Sequence, residues 1–173
     1  MRSIEDFEIR RLGFSDVSNM FTLMEGVLSR LPSQELFAMH DNYYFSTYIQ
    51  DKGEIYCAFI KGELVAYSVL AFPGLSEKNL GREFGVHEQE LNYVAVLDGT
   101  IVHESVRGRG LQSHFNKLRE KRAREKECRY LYSTVHPENF ISIKNLETEG
   151  FSLKFTRQMY GGNPRHCYAK ALF

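Results

Sequence analysis

The stretch from Val94 to Phe115 constrains this chain more than any other. VAVLDGTIV (Val94–Val102) is apolar except at Asp98–Thr100, which reads as a buried central strand. It leads through Arg107-Gly108-Arg109-Gly110 into a segment of helical period. There Leu111, Phe115 and Leu118 face inward, while Lys117, Lys121 and Arg124 face out. YLYSTV (Tyr130–Val135) is the next strand. A strand, a helix and a strand in this order make a parallel βαβ unit, and the rest of the fold must be built around it.

The flanking segments supply the other elements. Phe7–Leu12 reads as a short edge-like strand. Ser15 or Asp16 caps a helix whose stripe is Val17, Met20, Phe21, Met24 and Leu28. Asp41–Ile49 is an aromatic second helix ending near Gly53. Ile55–Ile60 and Leu64–Phe72 form a hairpin around Lys61-Gly62-Glu63. Leu75–Asn92 is a long polar insert with helix expected in HEQEL, of the kind that serves as a lid or carries short elements of its own. Pro137 opens a further helix that Gly150 closes. Phe151–Met159 and His166–Leu172 are two last strands around the turn GGNP. The sum is a mixed-sheet α/β fold, expected as one domain over residues 1–173. A chain of this length can bury roughly 70% of the surface its unfolded form exposes, enough for a core without staples.

Composition narrows the function classes. The chain has 22 basic and 22 acidic residues, so general nucleic-acid binding is not expected. No apolar run reaches the ~20 residues of a bilayer span, and no membrane partner is expected. The N-terminus lacks the apolar core of a signal peptide. Cys57, Cys128 and Cys167 are odd in number and lack CxxC spacing, which argues against a disulfide framework and a zinc knuckle. A cytoplasmic protein with reduced thiols is the expectation. The charge is nevertheless uneven: Arg107–Lys126 holds eight Lys/Arg against two Glu, a local +6.

That charge gathers around a loop built for an anion. Two glycines let consecutive N–H groups turn toward one point, and the helix that follows adds its partial positive charge. Arg107 and Arg109 flank the turn. Together they make a phosphate cradle; the blander reading is a tight strand–helix turn with a solvated basic face. No Lys-Ser/Thr follows, so it is not a Walker A loop, and the glycine spacing is not that of a dinucleotide fingerprint.

Arg107-Gly108-Arg109-Gly110-Leu111-Gln112 resembles the pyrophosphate loop of the GNAT superfamily of acetyl-CoA-dependent N-acetyltransferases, of a bacterial type. It departs from that pattern only at Gln112, where a small residue is usual. HPENFISIKNLETEGF (His136–Phe151) is similar to the family's second cofactor segment, and Asn139 and Ser142 match its polar positions toward the pantetheine arm. The resemblance is good over about residues 94–172. It implies an acyl-CoA N-acyltransferase fold, a central mixed sheet of about six to seven strands flanked by about four helices. It also implies acetyl-CoA as co-substrate, no metal, and direct acetyl transfer to a primary amine of a small molecule or peptide, by a monomer or a homodimer.

By the same resemblance the Thr100 N–H is the oxyanion donor, and Ile101 and Val102 pair with the pantetheine amides. Arg107 through Gln112 hold the pyrophosphate. Gly99 marks a bulge in an otherwise β-branched run. Asp98 is the expected base: two residues before Thr100, it stands on the same strand face ~7 Å away. Glu104 is the reserve. Many family members carry a tyrosine as general acid where this chain has Leu146. Tyr132, Tyr160 or a water are the substitutes, and a thiol with a pKa of ~8.5 leaves fairly well without help.

His40, His87, His103, His114, His136 and His166 show no HExxH spacing, and no GxSxG is present. The aromatic run Tyr43, Tyr44, Phe45 and Tyr48 is either core or the wall of an acceptor pocket. Two other functions stay open at this point. One is a non-catalytic acyl-CoA-binding module, which Leu146 and Gln112 permit. The other is a nucleotide- or RNA-associated protein using the basic helix, which lacks exposed aromatics to stack on bases.

Overall fold

The computed structural model describes residues 4–33, 41–159 and 161–173. In chain order the elements are β1 (Glu8–Arg11), α1 (Val17–Ser29), α2 (Asn42–Gln50), β2 (Gly53–Ile60), β3 (Glu63–Ala71), β4 (Val94–Val102), α3 (Leu111–Glu125), β5 (Tyr130–Val135), α4 (Phe140–Thr148), β6 (Ser152–Met159) and β7 (Asn163–Ala171). The seven strands form one sheet in the order β1-β2-β3-β4-β5-β7-β6, in which only β4 and β5 are parallel. This is the mixed α/β architecture that the alternation of segments requires.

Helices cover both faces. Met20, Met24, Val27 and Leu28 of α1, with Phe45 of α2, bury against Ile55, Cys57, Tyr67, Val69 and Ile101. On the opposite face, Leu111 and Phe115 of α3 pack on Ala58, Ala66 and Val102, and Ala123 packs with Leu97, Leu131 and Leu146. Residues 80–84 and 88–93 of the insert form two 3-10 turns and close the α1 side over Val94, Tyr132 and Cys167. Asn79 pins this insert, donating to Gly74 and Leu91 carbonyls and accepting from the Gly81 N–H. HEQEL is therefore 3-10 rather than α-helical.

Three differences from the sequence expectation have a clear physical cause. Asn139, not Pro137, begins α4: its Oδ1 accepts from the Ser142 N–H, so the helix starts three residues later. Asp16 precedes α1 without capping it; its carboxylate accepts from the Gly13 N–H instead. The last strand takes in Asn163 and Pro164, and the turn narrows to Gly161-Gly162, both at positive φ. Pro164 is tolerated because β5 stops at the register of His166, so Pro164 faces β6 alone.

Candidate active site

β4 and β5 pair only from Val94/Tyr130 to Val96/Tyr132. One further link follows, from the Ser133 hydroxyl to the Leu97 carbonyl at 2.9 Å. Beyond it β5 continues beside β7 and β4 beside β3, so a gap opens between the two parallel strands.

A bulge sits where the gap begins. Ser68 stands opposite Thr100 and Leu70 opposite Leu97, so Val69 alone faces both Asp98 and Gly99. The extra residue inverts the strand's alternation. Ala95 and Leu97 face α3; past the bulge Thr100 and Val102 face α3 instead of Gly99 and Ile101. Asp98 lies on the α1/α2 side, in contact with Tyr44. Asp98 and Thr100 are thus on opposite faces, a correction to the expectation that two residues of spacing puts them on one. That Gly99 marks a bulge agrees with its register.

The bulge also decides which main-chain groups look into the gap. His103 donates to the Val65 carbonyl at 2.8 Å, which sets the phase of the antiparallel ladder. Hydrogen-bonded and open pairs alternate, so Ile101 bonds Tyr67, while Thr100 and Val102 turn their N–H and C=O groups away from β3. Of the three residues expected along the thioester and the pantetheine arm, Thr100 and Val102 present peptide groups to the gap. Those of Ile101 are engaged with β3.

At the end of β4 a 3-10 turn (Glu104–Val106) leads to the loop. Gly108 and Gly110 have φ of 76° and 83°, a conformation that glycine alone adopts freely, and a Cβ at either would meet nothing within 4 Å. The N–H groups of residues 108–113 donate to no described group. Arg107 folds back to the Val102 carbonyl at 3.3 Å, and the Arg109 guanidinium lies 5.7 Å over the Phe7 ring. Gln112 and Ser142 are joined directly, Nε2 to Oγ at 2.7 Å. Leu111 is buried beneath the loop and anchors it. The arrangement can receive an anionic phosphate group at the mouth of the gap.

Behind the bulge lies a residue that the sequence reading counted only as surface charge. Arg119 is fully buried. Its Nη1 donates to the Val69 carbonyl at 2.7 Å and to the Asp98 carbonyl at 2.9 Å. Nη2 donates to Thr100 Oγ1 and Asn116 Oδ1, and Nε to the Phe115 carbonyl. Asn116 passes the contact on to the Glu149 carboxylate at 2.9 Å. Burial lowers the Arg119 pKa to about 10, with Asp98 opposing, and the group stays charged at neutral pH. The signal was present: Arg119 follows Leu111 and Phe115 at intervals of four, on the inward stripe of α3.

The other candidates fall out differently. Arg30 binds Glu104 with both carboxylate oxygens engaged, which holds the Glu104 carboxyl down at about 2 and makes it a poor proton acceptor. The Tyr132 hydroxyl accepts from the Leu80 N–H, and its ring packs edge-on against Phe84, turned into the insert. Leu146 is core. Tyr160 and His40 lie outside the described residues. Burial, with the Asp98 carboxylate next, pushes the Tyr44 hydroxyl well up, while Phe45 packs edge-on against Tyr67 in the core. Tyr43 is exposed.

A model of the acetyltransferase (GNAT) family matches residues 20–151, well over half of the chain. The chain belongs to the GNAT acetyltransferase family. The family's chemistry is acyl transfer from acetyl-CoA, which makes this GNAT chain an acyltransferase. Its fold is similar to that of an N-acetyltransferase from Staphylococcus aureus Mu50, with a TM-score of 0.73 and 15% identity over 96% of this chain and 99% of that one. It is also similar to ribosomal-protein-alanine N-acetyltransferase from Brucella melitensis (TM-score 0.71, 18% identity, 95% and 99% covered). A third similar structure is yncA of Salmonella typhimurium, a putative acetyltransferase solved with its cofactor acetyl-CoA (TM-score 0.72, 12% identity, 96% and 94% covered). No curated protein matches the sequence. Among the described residues no helix is long and apolar enough to cross a membrane.

Proposed function

We propose that this GNAT chain is an N-acetyltransferase that moves the acetyl group of acetyl-CoA to a primary amine of a small molecule or peptide, by direct attack in a ternary complex. One observation carries the reading. The gap between β4 and β5 opens at the bulge, is lined by the peptide groups of Thr100 and Val102, and ends at the N–H groups of residues 108–113, which donate to no described group.

Acetyl-CoA, when bound, supplies an acetyl group activated as a thioester. The loop fits its diphosphate: donors converge at a helix N-terminus, and both glycines leave open space where a side chain would stand. Residues 108–113 would hold the phosphates, Val102 an amide of the pantetheine arm, and Asn139 and Ser142 the far wall. The Thr100 N–H is aimed to donate to a carbonyl oxygen in the gap, where charge develops during acyl transfer. The Asp98 carboxylate, fixed by the Gly99 N–H at 2.9 Å and lying beside Tyr44, is the acceptor for the amine's proton, reached through water from the α1/α2 side. The bulge thus divides the labour: polarisation on one side of β4, proton removal on the other.

The test is thiol release from acetyl-CoA against a panel of polyamines, aminoglycosides and N-terminal peptides. Turnover that Asp98→Asn abolishes while acetyl-CoA still binds supports the reading. Tight acetyl-CoA binding with no thiol released from any amine would favour a non-catalytic acyl-CoA module.

A further inference from the structure

We infer that Arg119 is a positioning residue: from behind the sheet its guanidinium clamps the bulge at Asp98–Gly99 and so aims the Thr100 N–H into the gap. This rests on the acetyl-transfer reading above and deepens it.

The argument starts from hydrogen-bond accounting. A guanidinium has five N–H donors, and Arg119 uses five acceptors: the carbonyls of Phe115, Val69 and Asp98, Thr100 Oγ1 and Asn116 Oδ1. None of the five carries a charge. Burying an ion without a bonded counter-ion is costly, and an apolar residue at this place in the stripe would fill the core more cheaply. What the arginine does that no apolar residue can do is join strands. Its Nη1 bridges β3 and β4 at the one place where their ladder skips a residue. Its Nη2 holds Thr100 by the hydroxyl, two residues further along β4. The two nitrogens are rigidly coplanar, so the Asp98 carbonyl and the Thr100 side chain are fixed relative to one another. Between them lies the parity inversion that turns the Thr100 peptide toward the gap.

The clamp also reaches the proposed base. The Asp98 carbonyl that accepts from Arg119 belongs to the same peptide unit as the Gly99 N–H, and that N–H donates to the Asp98 carboxylate. Hydrogen bonds in line polarise one another, so the charge behind the sheet strengthens the bond that orients the carboxylate in front of it. Asn116 and Glu149 back the guanidinium from α3 and the end of α4 and keep it in register.

The test compares calorimetric affinities for acetyl-CoA and for CoA, which needs no knowledge of the amine. The two ligands differ at the acetyl carbonyl, the group the Thr100 N–H addresses. Arg119→Met is expected to weaken acetyl-CoA about five-fold relative to CoA, the loss of one hydrogen bond, with binding still one per chain. With an amine that turns over, kcat should fall about a hundred-fold while the KM for that amine holds. Arg119→Lys keeps the charge but not the fork, and should lie between. A merely structural role would weaken both ligands alike and leave their ratio unmoved; that result overturns the inference. If Arg119→Met does not fold, the ratio in Arg119→Lys decides, and a wild-type ratio there overturns it equally. A wild-type protein that does not bind acetyl-CoA overturns the acetyl-transfer reading itself.

Discussion

Gln112 and Ser142, on the first turns of α3 and α4, are tied by a 2.7 Å hydrogen bond between their side chains. The two residues belong to the two segments proposed to hold the cofactor, and the bond links those segments directly. It gives a physical role to the glutamine that departs from the usual small residue. Gln112→Ala should lower stability by about 1 kcal/mol, read as a fall of about 2–4 °C in the melting midpoint. Ser142→Ala should cost a similar amount. The double variant should cost little more than either single one, because both remove the same bond. Additive losses would show that the strap carries no energy.

Gly108 and Gly110 owe their places to backbone conformation rather than to space. Alanine at either has room for its Cβ but must adopt positive φ, at a cost of roughly 1–2 kcal/mol. The loop can relieve that cost by leaving the binding conformation. Each variant should therefore stay folded and bind acetyl-CoA about ten-fold more weakly, measured by calorimetry.

Much of this was legible in the chain. The strand–loop–helix at Val94–Phe115 announced the parallel unit, and Gly99 announced the bulge. What periodicity could not show was the bulge's consequence. A strict two-residue repeat puts Asp98 and Thr100 together; one inserted residue sends them to opposite faces. Arg119 was hidden for a related reason. Its place on the inward stripe of α3 was legible, but composition treats an arginine on a basic helix as solvated, and its acceptors, the carbonyls of Val69 and Asp98, lie 50 and 21 residues away. Likewise nothing near Glu104 in sequence announced Arg30, 74 residues away, which removes it as a base.

The Arg30–Glu104 pair predicts an acid-limb effect. Glu104 is held low chiefly by the hydrogen bond from Arg30, down to about 2 from an ordinary value near 4.5. A carboxyl lowered in the folded state stabilises the fold above its ordinary value and loses that contribution as pH falls toward the lowered one. The stability difference between wild type and Glu104→Gln should be present at pH 6 and vanish between pH 4.5 and 2. Both side chains are partly exposed, so the difference should be below about 1 kcal/mol and shrink in high salt. A difference unchanged down to pH 2 would contradict the pairing.

The three thiols should be silent. Cys57, Cys128 and Cys167 are buried, and burial raises Cys128 to about 11, Cys167 to about 12 and Cys57 higher still. The thiolate is the reactive form, so none should react with a thiol-specific disulfide reagent at pH 8 until the protein unfolds. Rapid titration of any thiol in the native state would contradict the packing of the sheet. This silence also keeps the thiol-release assay free of background.

Calorimetric titration of the protein with acetyl-CoA, beside its Gly110→Ala variant, tests the account most directly. The account predicts one acetyl-CoA per chain with micromolar affinity, weakened about ten-fold in the variant. Absence of both heat and thermal stabilisation at millimolar acetyl-CoA would contradict it.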